Sequence, residues 1–516
     1  MPSTASPETS LPPTGNAALS PGEIRSVVVG LMLAILLGAL DQTIVAVSLP
    51  MMAADLHGVD LLAWVVSGYL IAVAVATPIY GKLGDLYGRR VMLSSAIGIF
   101  LVTSVLCALS TSMPMLVGSR ILQGIGGGGL ISVAQATIAD VVSPRERGRY
   151  QGYISTSFAI ASVVGPLAGG LLTEFVSWRW VFWINLPLGL LALVISYKAL
   201  TRLSVPHIKR PIDILGALLL IIGLTALLIA VTFIGQGDGW LEPRNVALFG
   251  IAICAMAGFV WQERRAAEPI IPLQLLSNPI VSCSCTILLI AFVQVIALSV
   301  LIPLRLQMLT DSGADGAAYQ LMPLSLAIPI GAYIGGTIMT RTGLYKQIQL
   351  VGAILVPISV ASLALLDANA VVLNILVTVV AGLSIGLQLP TSTVAAQNAV
   401  QHRHLGIVTA ISAFSRSLGA AMGIAVLMAI LFAALHSHAP ASFSAVPGAD
   451  LIRQMVGDVG VPPDAAIRQQ LAEPATDAFR IVFLLSALLG VVSIVLGLLI
   501  PAKPLSEEAP KPVFSE

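Results

Sequence analysis

Gly81-Lys-Leu-Gly-Asp-Leu-Tyr-Gly-Arg-Arg90 is a short charged stretch between two long apolar runs, residues 62–80 and 91–110, and it decides the fold of this chain. Each run has about the 20 residues that an α-helix needs to cross roughly 30 Å of hydrocarbon. A connection this short forces the two helices into an antiparallel hairpin. The sequence therefore predicts two neighbouring membrane-spanning helices that are joined at one membrane surface.

The connection itself combines glycines with charges of both signs. These residues are Gly81, Gly84, Gly88, Asp85, Lys82, Arg89 and Arg90. Glycine lacks a side chain, so a backbone can approach another closely at its position. We therefore expect a compact charged loop with close backbone approaches at its three glycines.

The composition places the chain in a membrane. Hydrophobic residues make up 57% of the 516 residues and charged residues 10%, whereas soluble domains carry roughly 25% charged residues. A net charge of +1 argues against a nucleic-acid partner, which needs a basic surface. Cys283 and Cys285 have no further ligand nearby, so we expect no metal site. Because no phosphate-binding loop is found either, we expect no cofactor.

Apolar runs of spanning length occur about 14 times. They are residues 27–49, 62–80, 91–110, 115–138, 151–173, 180–200, 213–234, 246–262, 280–302, 319–340, 348–366, 371–393, 405–433 and 479–500. The cations of the connections are about threefold more frequent on the side of residues 81–90, which the positive-inside rule assigns to the cytoplasm. The sequence thus predicts an all-α polytopic membrane protein with both termini cytoplasmic.

The chain also repeats itself weakly. Gly81 and Gly88 recur as Gly336 and Gly343, where Thr340 stands in place of Asp85. The two copies lie further apart than six helices require, which predicts two six-helix bundles with two extra helices between them. Transporters are often built from such repeats, with the substrate site between the halves. The predicted parts are a disordered tail at 1–24, a first bundle at 25–200, two linker helices at 201–279, a second bundle at 280–500 with an outer loop at 434–478, and a tail at 501–516.

Two charged residues stand at membrane depth, Asp41 in the first apolar run and Arg120 in the fourth. Such residues are costly unless paired or neutralised and therefore mark function by default. Burial would let Asp41 bind and release a proton near neutral pH; a permanent hydrogen bond between helices is the alternative. Arg120 requires acceptors, either Asp41 across helices one and four or backbone carbonyls. Gln123 lies one turn from Arg120.

A third group of residues, Gly165-Pro-Leu-Ala-Gly-Gly170, lies in the fifth run. Pro166 interrupts the helical hydrogen bonds, and Gly165, Gly169 and Gly170 allow close helix packing. These residues predict a helix that bends or packs tightly against a neighbour. A packing kink without a functional role is the alternative.

These stretches resemble the motifs of one family, the major facilitator superfamily. Residues 81–90 are similar to its signature cytoplasmic loop, G-x-x-x-D-x-x-G-R-R, and residues 120–124 to its R-x-x-Q-G motif. The stretch around Asp41 is similar to the first-helix motif of the 14-helix drug:proton antiporter branch, with Ser48 in place of the usual alanine. Residues 165–170 resemble the antiporter motif G-P-x-x-G-G, which is typical of exporters.

The resemblance implies a proton-coupled multidrug efflux transporter whose two halves rock around a midplane site in alternating access. In that scheme Asp41 is protonated from the outer side and deprotonated toward the cytoplasm, and Arg120 and Gln123 take part in proton coupling. The proton gradient is the energy source. Asp85 and its neighbouring cations would form a cytoplasmic gate latch, confined to the first half because Thr340 replaces the acid in the second copy. The scarcity of acids at depth favours neutral, zwitterionic or monocationic substrates.

The implied location is the bacterial inner membrane. The expected partners are the lipid bilayer, protons and an amphipathic drug-like compound, with a periplasmic adaptor and an outer-membrane channel as further candidates. A proton-coupled symporter, a dedicated metabolite exporter and a non-transporting receptor or membrane enzyme stay open as alternatives. The motif at 165–170 argues against the symporter, and the lack of a catalytic constellation argues against the enzyme.

Four polar residues within apolar runs leave two interpretations open. Arg416, in the thirteenth run, could serve in function or reach to the membrane surface. Gln294, Gln388 and Gln397 could line a cavity or form hydrogen bonds between helices.

Overall fold

The computed structural model describes residues 21–58, 61–202, 212–235, 237–310, 314–401, 404–443, 446, 448–456, 465–502 and 505. Within these residues 14 helices are long and apolar enough to cross a membrane, and no strand occurs. The prediction of an all-α membrane fold with about 14 spans is confirmed. In chain order the helices are Pro21–Leu56 (α1), Leu62–Tyr87 (α2), Arg89–Ala108 (α3), Met113–Val141 (α4), Arg147–Phe175 (α5), Trp180–Ala199 (α6), Ile214–Gly235 (α7), Pro243–Glu263 (α8), Pro279–Leu309 (α9), Ala314–Thr342 (α10), Lys346–Leu365 (α11), Val371–Asn398 (α12), Leu405–His438 (α13) and Ala465–Leu499 (α14).

The helices form two halves of six, α1–α6 and α9–α14, and each half has its own apolar core. The linker helices α7 and α8 pack against each other, and α7 also lies against α2 and α13. The linker therefore contacts one helix of each half. Most of the predicted tails at 1–24 and 501–516 lies outside the described residues.

The hairpin at 81–90 is almost entirely helical, which corrects the expected loop. Helix α2 continues to Tyr87 and α3 begins at Arg89, so Gly88 alone separates them. Gly88 has φ 87°, in the left-handed region that glycine adopts without steric cost. Asp85 consequently stands in the last turn of α2. The polar stretch after residue 80 keeps its helical hydrogen bonds until the single residue that reverses the chain.

The outer loop expected at 434–478 is also shorter than predicted. Helix α13 continues to His438 and α14 begins at Ala465, and the short helix Gly448–Val456 lies between them. Leu471, Ala475 and Ala478 are fully buried and spaced for one helical face. This face packs on the core of the second half and extends α14 beyond its apolar run.

The two halves meet where α2 crosses α13 and where α5 crosses α10. A Cβ atom at Gly81 would overlap Ala410 of α13, and one at Gly336 of α10 would overlap the backbone of Gly148 of α5. Both crossings lie at the end of the bundle that carries residues 81–90, named here the 81–90 end. Among the described residues, every hydrogen bond between the halves lies at this end or between it and the middle of the helices.

Candidate functional site

The two charges at membrane depth form an ion pair inside the first half. The Nη1 atom of Arg120 on α4 lies 2.5 Å from Oδ2 of Asp41 on α1. Gln123 donates from Nε2 to Oδ1 of Asp41 at 3.1 Å, and Asn185 of α6 donates to the same oxygen at 2.9 Å. Each of these four side chains is at most 1% exposed. The sequence therefore named three of the four residues that the structure brings together.

Arg120 has both kinds of acceptor that its sequence allowed. Besides Asp41, its Nη1 donates to Oε1 of Gln123 at 2.8 Å, and its Nε donates to the carbonyl of Val65 at 3.3 Å. The guanidinium also lies 4.1 Å from the centre of the Tyr69 ring, a cation–π geometry. Removal of either partner of such a buried pair strands the other charge, at a cost of about 3–5 kcal/mol.

Asn185 is the member of the site that sequence reasoning missed. It begins the second segment of α6, after the helix is interrupted at Ile184. Its Nδ2 donates to Asp41 and also lies 3.0 Å from Oγ of Ser104 on α3. A lone amide inside an apolar run, followed two residues later by Pro187, is the signal that could have found it.

The residues at 165–170 hold α1 in place beside Asp41. A Cβ atom at Gly165 would overlap Thr43, and one at Gly169 would lie 2.7 Å from the carbonyl oxygen of Ile44. The hydroxyl of Thr43 donates to the carbonyl of Ala161 of α5 at 2.8 Å. Close packing thus starts two residues after Asp41.

The other two motif residues of this stretch have different surroundings. Gly170 has no heavy atom within 4 Å of a built Cβ, which corrects the expectation of close packing there. Pro166 lies inside α5 and donates no backbone hydrogen bond. Of the four motif residues, two therefore fix the crossing of α1 and α5.

Asp85 contacts a helix end of the opposite half. Its Oδ2 accepts a hydrogen bond from the backbone N–H of Ile407 at 3.0 Å, in the first turn of α13. Its Oδ1 lies 2.5 Å from Nη2 of Arg89, whose Nε lies 2.7 Å from Asp140 of α4. A carboxylate at a helix N-terminus is stabilised by the free N–H groups and the helix dipole. This contact, named here contact A, joins α2 to α13.

The other residues of the connection have separate roles. Lys82 forms an ion pair with Glu268 after the linker helices at 3.0 Å. The guanidinium of Arg90 lies 3.8 Å from the centre of the Tyr197 ring of α6, so it packs within the first half. Gly84 makes room for the Arg89 side chain rather than for a backbone. Gly81, in contrast, lies at a close approach between the halves.

A second charged contact lies at the crossing of α5 and α10. Arg145, which precedes α5, donates to the backbone carbonyls of Thr340 and Arg341, each at 2.8 Å. These carbonyls end α10, where a helix dipole favours a cation. We name this contact B. The sequence predicts charged contacts only in the first copy of the repeat and does not predict contact B, because the charge of contact B comes from outside the repeated motif.

Arg416 of α13 does not reach to the membrane surface. Its Nη2 donates to Oε1 of Gln135 of α4 at 2.7 Å, which places it between the halves. Gln294 and Gln397 instead bond Ser486 and Thr409 within the second half. The Oε1 atom of Gln388 is buried without a hydrogen-bond partner in the described part of the chain.

No group of three or more His, Cys, Asp or Glu residues that could hold a metal ion occurs among the described residues. The candidate site is therefore a set of charges and amides. One ion-pair network lies inside the first half, and two charge-to-helix-end contacts lie between the halves.

Two six-helix halves with such contacts define the class of helical membrane transporters, and comparison with known proteins gives the family. The sequence profile of the Major Facilitator Superfamily matches residues 31–424. The chain is 33% identical to multidrug resistance protein 3 of Bacillus subtilis over 406 residues, 78% of each chain. It is also 33% identical over 502 residues to an uncharacterized MFS-type transporter of Mycobacterium tuberculosis, covering 96% of this chain and 72% of that protein.

Among solved structures, the proton:xylose symporter XylE is similar in fold, with a TM-score of 0.61 at 14% identity over 94% of this chain and 98% of that one. The chain belongs to the Major Facilitator Superfamily and to its multidrug transporters. Because members of this family move solutes and catalyse no covalent chemistry, the protein is a transporter and not an enzyme.

Proposed function

We propose that this transporter exports amphipathic small molecules across the bacterial inner membrane in exchange for protons. The single observation that carries the proposal is the fully buried pair of Asp41 and Arg120, which lies inside one half and away from the interface. Because the pair lies away from the interface between the halves, it is not placed to contact a substrate that binds at that interface. Binding and release of a proton is therefore the role that we assign to it. The multidrug resistance protein of Bacillus subtilis at 33% identity supports drug export.

The orientation decides which side of the membrane is closed. We place the 81–90 end and both termini in the cytoplasm, as the loop cations favour. The structure is then the state closed to the cytoplasm by contacts A and B. A periplasmic adaptor and an outer-membrane channel would have to meet the opposite end, where the helix Gly448–Val456 lies.

Helix α4 connects the proton site to the interface. It carries Arg120 near one end, and Gln135 and Asp140 near the other, where they bond Arg416 and Arg89. Arg120 and Gln135 lie about 22 Å apart along the helix. A proton on Asp41 removes the charge that Arg120 pairs with and leaves the buried charge of Arg120 without a partner. This loss of pairing favours a movement of α4, which carries Arg120. In this scheme that movement opens contacts A and B.

One proton supplies enough energy for a useful gradient. Moving one charge through 100 mV is worth about 2.3 kcal/mol, which supports roughly a 50-fold concentration ratio. The residues at 165–170, which fix α1 beside Asp41, resemble a motif typical of exporters and favour export over symport. The substrate is expected to bind between the halves.

The test is Asp41→Asn, which keeps the shape of the side chain and removes its charge and proton. Efflux of a fluorescent amphipathic compound that the unmodified protein exports from a pump-deficient bacterium should fall at least tenfold while the amount of protein in the membrane stays the same. Asp55→Asn is the matched control, because Asp55 lies on the same helix in a half-exposed ion pair with Arg179. Surface pairs contribute about 0–1 kcal/mol, so that variant should keep full efflux. Full efflux by Asp41→Asn would refute the assignment.

A further inference from the structure

We propose that Arg416 and Gln135 form an anion-binding subsite between the two halves, so that the preferred substrates are amphipathic molecules with a carboxylate or sulfonate group. Transport of such molecules rests on the proposed function, whereas their binding does not. The subsite lies about 14 Å along α13 from Ile407, on the side of contact A that leads toward the middle of the membrane.

Within the described ranges, Arg416 lacks the acid partner that Arg120 and Arg89 have. Arg120 pairs with Asp41, and Arg89 pairs with Asp85 and Asp140. Among the described residues, Arg416 has one hydrogen bond, to the neutral amide of Gln135, and no carboxylate partner. A cation at this depth is costly without a counter-charge. Its side chain is partly exposed, so a ligand can reach it.

Gln135 supplies a second, unused donor beside this cation. Its Oε1 accepts the hydrogen bond from Arg416, which fixes the orientation of the amide. The Nε2 atom is then left fully buried and without a partner in the part of the chain that the structure describes. An unpaired buried N–H costs about 1–3 kcal/mol. One anionic oxygen would satisfy both the guanidinium and this amide.

An apolar surface lies next to the two donors. The Phe292 ring of α9 has its centre 5.9 Å from the guanidinium carbon of Arg416, and the ring is partly exposed. Three helices from both halves, α4, α9 and α13, thus surround one charged point and one apolar face. This combination fits an amphipathic anion, whereas the scarcity of acids at depth alone favoured neutral, zwitterionic or monocationic compounds.

A matched pair of fluorescent probes tests the subsite. 8-Anilinonaphthalene-1-sulfonate carries a sulfonate, and N-phenyl-1-naphthylamine has the same aromatic frame without it. Both are titrated into the full-length protein in phosphatidylcholine nanodiscs, with empty nanodiscs as the blank and no ion gradient. We expect Arg416→Gln to weaken binding of the sulfonate probe at least tenfold and to change binding of the neutral probe less than twofold.

Further variants distinguish recognition of the sulfonate charge by Arg416 from a purely structural hydrogen bond that joins the two halves. Arg416→Lys should recover most of the sulfonate binding, and Gln135→Glu should abolish it by neutralising Arg416. Arg341→Gln is the control for net charge, since this exposed side chain lies at the end of α10. It should leave both probes unchanged.

Three outcomes would overturn the subsite. If Arg416→Gln weakened the binding of both probes equally, Arg416 would have only a structural role in joining the halves. Unchanged sulfonate binding in Gln135→Glu would exclude recognition of the anion at this subsite. Loss of sulfonate binding on adding phosphatidylglycerol to the nanodiscs would assign the site to a lipid headgroup. Because binding is measured without a gradient, a failure of proton coupling in Asp41→Asn leaves this result unaffected.

Discussion

Contacts A and B occupy equivalent places in the two copies of the repeat, yet their charges are opposite. In contact A, the carboxylate of Asp85 lies at the first turn of α13. In contact B, the guanidinium of Arg145 lies at the last carbonyls of α10. Each charge has the sign that its helix end favours. The first half supplies both charges, and the second half supplies both helix ends.

The comparison shows what the repeat has retained. Close backbone packing occurs in both copies, at Gly81 against Ala410 and at Gly336 against Gly148. The acid is absent from the second copy, where Thr340 stands, and Arg145 from the opposite half provides the charge instead. The repeated glycines therefore define where the halves meet, while the charges add electrostatic stabilisation to each closure.

The largest expected effect comes from filling the two close approaches. Gly81→Ala and Gly336→Ala each place a methyl group where rigid atoms already lie, so the 81–90 end should no longer close. Spin labels at Tyr87 and Gln401, in a Cys254→Ser background, should report a longer distance by pulsed electron resonance. Gly98→Ala is the control, since nothing lies within 4 Å of its Cβ position. An unchanged distance in Gly81→Ala or Gly336→Ala would show that packing does not determine the closure.

Removal of the charge of contact A should have an intermediate effect. Asp85→Asn keeps an acceptor for the N–H of Ile407 but loses the charge that favours the N-terminus of α13, worth about 1–2 kcal/mol when partly buried. The closed population should fall roughly 5- to 30-fold relative to the open one. The same label pair measures it. If the closed population equalled that of the unmodified protein, the charge of Asp85 would stabilise only its local ion pair with Arg89 and not the contact with α13.

Removal of the charge of contact B should have the smallest effect. Arg145→Gln loses two charge-assisted bonds, of which the one to Arg341 is exposed to solvent, so the loss is about 1 kcal/mol. Labels at Arg149 and Thr342 should show the closed population reduced roughly fivefold. A larger shift than that of Asp85→Asn would reverse the order of the two contacts.

The sequence predicted much of this molecule because membrane folds obey strong length and polarity rules. The 14 spans, the extra pair of helices and the pairing candidates Asp41 and Arg120 follow from apolar runs and from the cost of charge at depth. The bond from Asp85 to Ile407 could not be predicted, because it joins residues more than 300 positions apart. Arg145 could not be distinguished from the other loop cations, because a loop cation can also do no more than set the orientation of the chain in the membrane.

Two further features depended on three-dimensional packing. Asn185 joins the ion-pair network only because α6 is interrupted at Ile184 and turns the amide toward Asp41. Arg416 could be assigned to the interface only once Gln135 was found beside it. Sequence patterns give the depth of a residue in the membrane, whereas its direction around the helix depends on the neighbouring helices.

The central claim is that the charge of Asp41, inside the first half, controls closure at the far end of α4. The most direct test measures the Tyr87 to Gln401 label distance in Asp41→Asn, which mimics the protonated carboxyl, with Asp55→Asn as the control. We expect Asp41→Asn to shift the distribution toward the longer, open distance, and Asp55→Asn to leave it unchanged. An identical distance distribution in Asp41→Asn and the unmodified protein would contradict the claim.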